Sequence, residues 1–206
     1  MESFSQSIIT LLQTVPLWQQ MSILGFFSYA EGLPVIGSIL PGGTIAIFAG
    51  SLSESGIMTP LVACIIVGIA SFLGDMTGFF LGKRFTNIRW IQTIVTSEKY
   101  QKSWDLFDRH IALITIFGKL IPVVRSTPSI FAAVRGVQTR RYMIYSFLGS
   151  MLWGIVGVYA GKLFTMYFGE RATVFILGLI VVSIIAALVH QGIKFLRKKY
   201  NTNKSE

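Results

Sequence analysis

FSYAEGLPVIGSILPGGTIAIFAGSL, residues 27–52, decides how this chain is read. The stretch is apolar enough to enter a bilayer, but Gly32, Pro34, Gly37, Pro41, Gly42 and Gly43 break any continuous helix through it. Proline removes a helix donor and clashes with the preceding turn, and glycine adds backbone freedom that a helix must freeze out. Residues 111–137, IALITIFGKLIPVVRSTPSIFAAVRGV, repeat the pattern with interruptions at Gly118, Pro122 and Pro128. Broken backbone at membrane depth survives only where protein covers it or where it lines a watery cavity. Both stretches are therefore predicted to be re-entrant helical hairpins.

The rest of the chain supplies uninterrupted spans. Crossing the hydrocarbon takes about 20 apolar residues in a helix, which satisfies its own backbone hydrogen bonds. Residues 59–82 qualify, opening with Thr59 as cap and Pro60 at the first helical position and carrying only Asp75 as charge. Residues 142–168 carry only Lys162, and residues 172–193 form the cleanest span. Residues 1–26 have Ile8, Leu11, Leu12 and Val15 at helical spacing, but Gln13, Thr14, Gln19 and Gln20 point to an interfacial amphipathic helix. They contain no Lys or Arg that would form the basic start of a targeting peptide. Residues 100–110 read as a second amphipathic helix, with Trp104 and Phe107 on one face and His110 at its end.

Composition agrees with a membrane protein. The 206 residues, room for a single domain, are 52% hydrophobic and 13% charged, against roughly 25% charged in a soluble domain. The same apolarity excludes disorder. The net charge of +9 raises the question of nucleic acid, yet the charges sit in short blocks between apolar segments, so no nucleic-acid partner is expected. One cysteine, Cys64, and two distant histidines, His110 and His190, make a poor metal set; neither a metal nor another cofactor is expected. Six basic residues fall between Lys83 and Arg109, Arg140 and Arg141 add a pair, and five more lie between Lys194 and Lys204. The positive-inside rule makes that face cytoplasmic. The first hairpin then dips in from outside, 59–82 crosses inward, the second hairpin dips in from the cytoplasm, and the last two spans cross outward and back.

An internal repeat follows the same division. Gly37-Ser-Ile-Leu-Pro41 returns as Gly118-Lys-Leu-Ile-Pro122, and Gly78-Phe-Phe-Leu-Gly82-Lys83 returns as Gly157-Val-Tyr-Ala-Gly161-Lys162. Each copy is a broken hairpin followed by a span with small residues four apart, a spacing that lets helices approach closely. Lys83 inside and Lys162 outside give the copies opposite topology, as in secondary transporters. The predicted architecture is thus an all-α integral membrane protein, one membrane domain over 1–206. It comprises a first hairpin-plus-span repeat (27–82), a cytoplasmic amphipathic linker (83–110), a second, inverted repeat (111–168), a final span (172–193) and a basic cytoplasmic tail (194–206).

Five ionisable residues stand where hydrocarbon is expected. Glu31 immediately precedes the first break, and a carboxylate at that depth costs about 2.5–3.5 kcal/mol unless it finds a partner, a proton or a cavity. It reads either as a protonatable coupling site or as a charge at headgroup level. Asp75 reads either as a second proton site or as an ion-pair partner for a cation of the other hairpin. Lys119, Arg125 and Arg135 in the second hairpin suit an anionic headgroup, because guanidinium offers phosphate a planar fork of donors and Lys a point charge. Arg135 reads equally well as a cytoplasmic anchor with Arg140 and Arg141. Cys64 reads as lipid-facing or packed, and Trp153 as a residue of membrane packing or of an interfacial belt.

At these residues the chain resembles the DedA family, also called the SNARE-associated or VTT-domain family of membrane proteins. The resemblance covers roughly residues 27–170. It rests on Glu31 followed by the Pro41-Gly42 turn, on Gly74-Asp75-x-x-Gly78-x-x-x-Gly82-Lys83, and on Lys119-x-x-Pro122-x-x-Arg125. The stretch Arg140, Arg141, Tyr142, Gly149, Trp153 and Gly157 adds to it. Gly43 stands where many members carry an acidic residue, and Lys119 where many carry Arg. The resemblance implies lipid translocation between leaflets of a bacterial inner membrane, coupled to protons, with undecaprenyl phosphate or phosphatidylethanolamine as examples of substrate.

The expected function is therefore a transporter and not an enzyme. Its partners are a membrane lipid, either polyprenyl phosphate or a phospholipid, and protons, with room for a homo-oligomer. Lys119, Arg125 and Arg135 would bind the headgroup and Glu31 and Asp75 would exchange protons, beside breaks at Pro34, Pro41, Gly42, Gly43, Pro122 and Pro128. The rival is a proton-coupled antiporter of small ions or cationic compounds, which needs the acids but not Arg125. A phosphatase or acyltransferase would need a nucleophile beside a base, and neither histidine offers one.

Overall fold

Pro16 fixes an extended-to-helical start, and with no proline before Pro34 the chain runs as one helix, α1, over Leu17–Gly32, continuous through Gly25. A computed structural model of the chain describes residues 14–34, 43–85, 98–121, 125, 127–169 and 178, with the backbone alone for 98–104. Among these residues every regular element is helical. α2 spans Thr44–Glu54, α3 Pro60–Phe85, α4 Glu98–Phe117, α5 Thr127–Val134 and α6 Thr139–Phe168, with a 3-10 turn at Gly118–Leu120. The expected breaks at Pro41, Gly42 and Pro122 lie outside the described residues, as do the final span 172–193 and the tail 194–206.

Among the described residues two helices are long and apolar enough to cross a membrane, α3 and α6. Their 26 and 30 residues give roughly 39 and 45 Å at about 1.5 Å per residue, against about 30 Å of hydrocarbon. They run antiparallel: Cys64 and Gly68 lie against Gly154, Asp75 meets Ser146, Phe79 stacks on Tyr142, and Lys83 donates to Thr139. α1, α2 and α5 have 16, 11 and 8 residues, roughly 24, 16 and 12 Å, and each is too short to cross alone.

The polarity is that of a protein dissolved in lipid. Leu61, Ile65, Ile69, Leu73 and Phe80 on α3 are exposed, as are Ile144, Leu148, Ile155, Tyr159 and Leu163 on α6. The faces turned inward carry glycine, serine and charge instead. α3 crosses α1 at Gly74, where an added Cβ would fall 2.4 Å from the Tyr29 carbonyl oxygen. Farther along, Gly78 meets Pro34 and Gly82 meets Ala133 of α5. On α6, Gly157 meets Ala46 of α2, and a Cβ on Gly161 would fall 2.0 Å from the Ile47 carbonyl oxygen. Small residues at these crossings let backbones pack without a side chain between them. Two apolar clusters result, one around Leu24, Ala46, Ala49, Val67, Trp153 and Val158, the other around Met76, Phe79, Phe107, Ile111 and Tyr142.

Two boundaries differ from the sequence expectation and one holds. The helix that carries Glu31 starts at Leu17 and not at 27, so residues 17–26 belong to it and not to a separate surface helix; Gln20, which made the segment look too polar, is buried and donates to the Val15 carbonyl at 2.8 Å. The division between the linker helix and the segment from 111 onward holds: α4 is kinked at His110, whose φ −124° and ψ 29° are not helical. Pro128 does not break a helix: it sits in the first turn of α5, where its missing N–H is harmless.

Candidate functional site

Four ionisable side chains meet in a buried polar layer. Relative exposure is 1% for Glu31, 3% for Asp75, 3% for Lys119 and 5% for Arg125. Charges so fully removed from water survive only when paired and hydrogen-bonded. Along α3 the layer falls between Val67 of one apolar cluster and Phe79 of the other, and along α6 between Tyr142 and Trp153. It therefore sits at mid-height of the two long helices.

One half of the layer is Asp75 and Lys119. Asp75 is four residues beyond Ser71 on α3, so the two share a helical face. Lys119 lies in the 3-10 turn that follows α4, which ends the helix early enough to turn the ammonium inward. Lys119 Nζ lies 2.5 Å from Asp75 Oδ2 and donates to Ser150 Oγ at 2.5 Å and Ser71 Oγ at 3.1 Å. The ammonium thus uses all three of its protons. Asp75 Oδ2 also accepts from Ser146 Oγ at 2.6 Å.

The other half joins the two broken stretches. Arg125 Nη1 donates to Glu31 Oε1 at 2.6 Å, and the backbone N–H of Gly43 donates to the same oxygen. Glu31 reaches this point because α1 ends one residue later, at Gly32, which packs against Gly74. Gly43 caps α2 in the left-handed region (φ 96°), where a side chain is disfavoured, and a Cβ there would fall 2.7 Å from Trp153 Cη2. The Trp153 ring in turn carries the guanidinium, whose carbon is 5.0 Å from the ring centroid.

Of the residues singled out in the sequence, Glu31, Asp75, Lys119 and Arg125 come together, with Pro34 and Gly43 at the edge of the first break. Asp75 adopts the ion-pair alternative, its partner being Lys119 of the second hairpin. Arg135 stands apart. It is half-exposed, donates through Nε to Asp108 Oδ1 at 3.1 Å and through Nη2 to Asp108 Oδ2, and its pKa is raised by those hydrogen bonds. The reason is positional: Arg135 follows the last residue of α5, whose end faces α4 and not the layer. Ser71, Ser146, Ser150, the Gly43 amide and Trp153 were not anticipated. Ser146, Ser150 and Trp153, spaced four and three apart on α6, share a face and could have been found by that spacing.

Comparison with known proteins supports one family. A family model described as the VTT domain matches residues 40–163, more than half of the chain. The inner membrane protein YghB of Escherichia coli is 26% identical over 172 residues, covering 79% of this chain and 78% of that protein. Protein DedA of the same organism is 23% identical over 175 residues, covering 82% and 80%. An uncharacterized membrane protein of Mycobacterium leprae is 24% identical over 179 residues, covering 82% and 78%. No solved structure matches the chain.

Proposed function

The chain belongs to the DedA family of VTT-domain membrane proteins, and on that premise we propose that it is a transporter carrying a phosphate-bearing lipid between the leaflets of a bacterial inner membrane, coupled to the proton gradient. The observation that carries this reading is the buried contact between Glu31 and Arg125, one from each broken stretch. A carrier needs groups that bind cargo or proton at mid-membrane while the surrounding helices exclude water, and this layer has both signs of charge there. Three of the helices flanking the breaks, α1, α2 and α5, are too short to cross, as re-entrant limbs must be, and α4 is kinked at His110 seven residues before its end. The glycine crossings are reciprocal: α3 of the first copy receives α5 of the second, and α6 of the second receives α2 of the first. That exchange is what two interlocked inverted copies would produce.

In this mechanism Arg125 holds the phosphate, and Glu31, released by the incoming anion, takes a proton. Each event makes the other easier, because an anion and a carboxylate compete for one guanidinium. Lys119 and Asp75 stay paired and set the position of the second hairpin on α3 and α6. The lipid tail remains in hydrocarbon, so only the headgroup needs the polar layer. Lys83, Arg140 and Arg141 share one end of the molecule, read as cytoplasmic, while Lys162 and Glu54 lie 3.7 Å apart at the other.

The deciding experiment is a headgroup-resolved flipping assay in liposomes. Wild type should accelerate transfer of labelled polyprenyl phosphate or phospholipid under an imposed pH gradient, and Arg125→Ala should slow it about tenfold or more, the loss of one charge-assisted hydrogen bond. If wild type moves no lipid, and an exchange of protons for small cations across the same liposomes survives Arg125→Ala but not Glu31→Ala, the antiporter reading replaces this one.

A further inference from the structure

Two buried donors, one on a guanidinium and one on the indole ring beneath it, have no acceptor among the described residues. Arg125 Nη2 and Trp153 Nε1 are both buried, and among the described residues neither has an acceptor. Arg125 Nη1 is already committed to Glu31, and the guanidinium rests 5.0 Å from the centroid of the Trp153 ring. The indole cannot swing freely, because Gly43 packs against Cη2 so closely that a Cβ there would fall at 2.7 Å. Buried polar groups without a partner are rare and costly, and they persist where a ligand or an ordered water completes them. By contrast, the ammonium of Lys119 is fully used by Asp75, Ser71 and Ser150. Of the two cations in the layer it is therefore Arg125 that keeps a donor without an acceptor among the described residues, beside the indole N–H of Trp153.

We infer that Trp153 Nε1–H and Arg125 Nη2–H form a donor pair for one phosphate group, and that Trp153 is a specificity-determining residue selecting a phosphate without an attached cation. A guanidinium alone accepts many anions in many poses. A second donor, neutral and fixed, requires an acceptor oxygen at one place beside it. Nothing nearby welcomes an ammonium: in this mechanism Glu31 is protonated and neutral once the phosphate has displaced it, and a further cation would meet the guanidinium charge. The site thus suits a phosphomonoester, as in a polyprenyl phosphate or free inorganic phosphate, over a zwitterionic headgroup such as phosphatidylethanolamine. This inference rests on the reading that the Glu31–Arg125 half of the layer holds the headgroup.

The test uses the full chain in phosphatidylcholine nanodiscs, titrated separately with a long-chain polyprenyl phosphate, phosphatidylethanolamine and inorganic phosphate, with binding read from the shift in thermal unfolding. Wild type should prefer polyprenyl phosphate to phosphatidylethanolamine. Trp153→Phe keeps a ring under Arg125 but removes the N–H; it should bind polyprenyl phosphate about tenfold more weakly, one hydrogen bond in affinity, with its weak affinity for phosphatidylethanolamine unchanged. Trp153→His, which restores a ring N–H, should recover part of the loss. Inorganic phosphate bound as tightly as the lipid would uphold the donor pair and assign its ligand to the aqueous phase. Wild-type affinity in a Trp153→Phe protein that unfolds at the usual temperature would overturn the inference, yet leave the transporter reading standing provided Arg125→Ala still abolishes binding. Preference of wild type for phosphatidylethanolamine would overturn the selectivity even if Trp153→Phe failed to fold. Binding of none of the three probes by wild type would overturn the headgroup site itself.

Discussion

Lys119 and Arg125 are both buried cations, and their surroundings give them different work. Lys119 is saturated by Asp75, Ser71 and Ser150, whereas Arg125 keeps one donor open. Removing one member of a buried pair strands the other charge, so Asp75→Ala should cost about 3–5 kcal/mol of stability, read from unfolding of the purified protein. Replacing both partners with apolar residues, Lys119→Met with Asp75→Leu, should recover most of that loss, because the desolvation penalty disappears with the charges. The types of these residues were legible in the sequence, since charge inside an apolar run stands out. Their pairing was not: Glu31 and Arg125 are 94 positions apart, and spacing along a chain does not report approach in space. Arg135 shows the same limit from the other side, being alike in sequence context yet bound to Asp108 outside the layer.

At the level of elements, glycine determines which helices can touch. The Gly161 crossing brings α6 onto the backbone of Ile47, so a larger residue meets carbonyl oxygen and not a movable side chain. Gly161→Leu should therefore remove folded, monodisperse protein in size-exclusion chromatography. Gly56→Ala, in open space at φ 73°, should cost only about 1–2 kcal/mol and leave the chromatogram intact. The four-residue glycine spacing was visible beforehand, and so were the caps at Thr59 and Pro60. The helix start at Leu17 was not: Gln20 looked like a surface residue because a sequence does not display the Val15 carbonyl that satisfies it, whereas the division expected at His110 is present as a kink in α4.

For the whole molecule, the orientation can be checked by single-cysteine labelling in a background lacking buried Cys64. With an impermeant thiol reagent, Thr59→Cys should react from outside the cell and Arg140→Cys only after the cytoplasmic face is opened; labelling of both from one side would refute the proposed crossing of α3. The sequence by itself determined that this is a helical membrane protein, where the spans that became α3 and α6 run, and which charges are out of place. Those are consequences of transfer energy and backbone hydrogen bonding, which act residue by residue along the chain. Only the tertiary structure decided that four of those charges neutralise one another in two pairs, that serines complete one pair, and that an indole sits beneath the other. Such contacts come from helix crossings that bring together distant segments, and the Coulomb and hydrogen-bond terms that select them depend on separations of a few ångströms that no linear pattern carries.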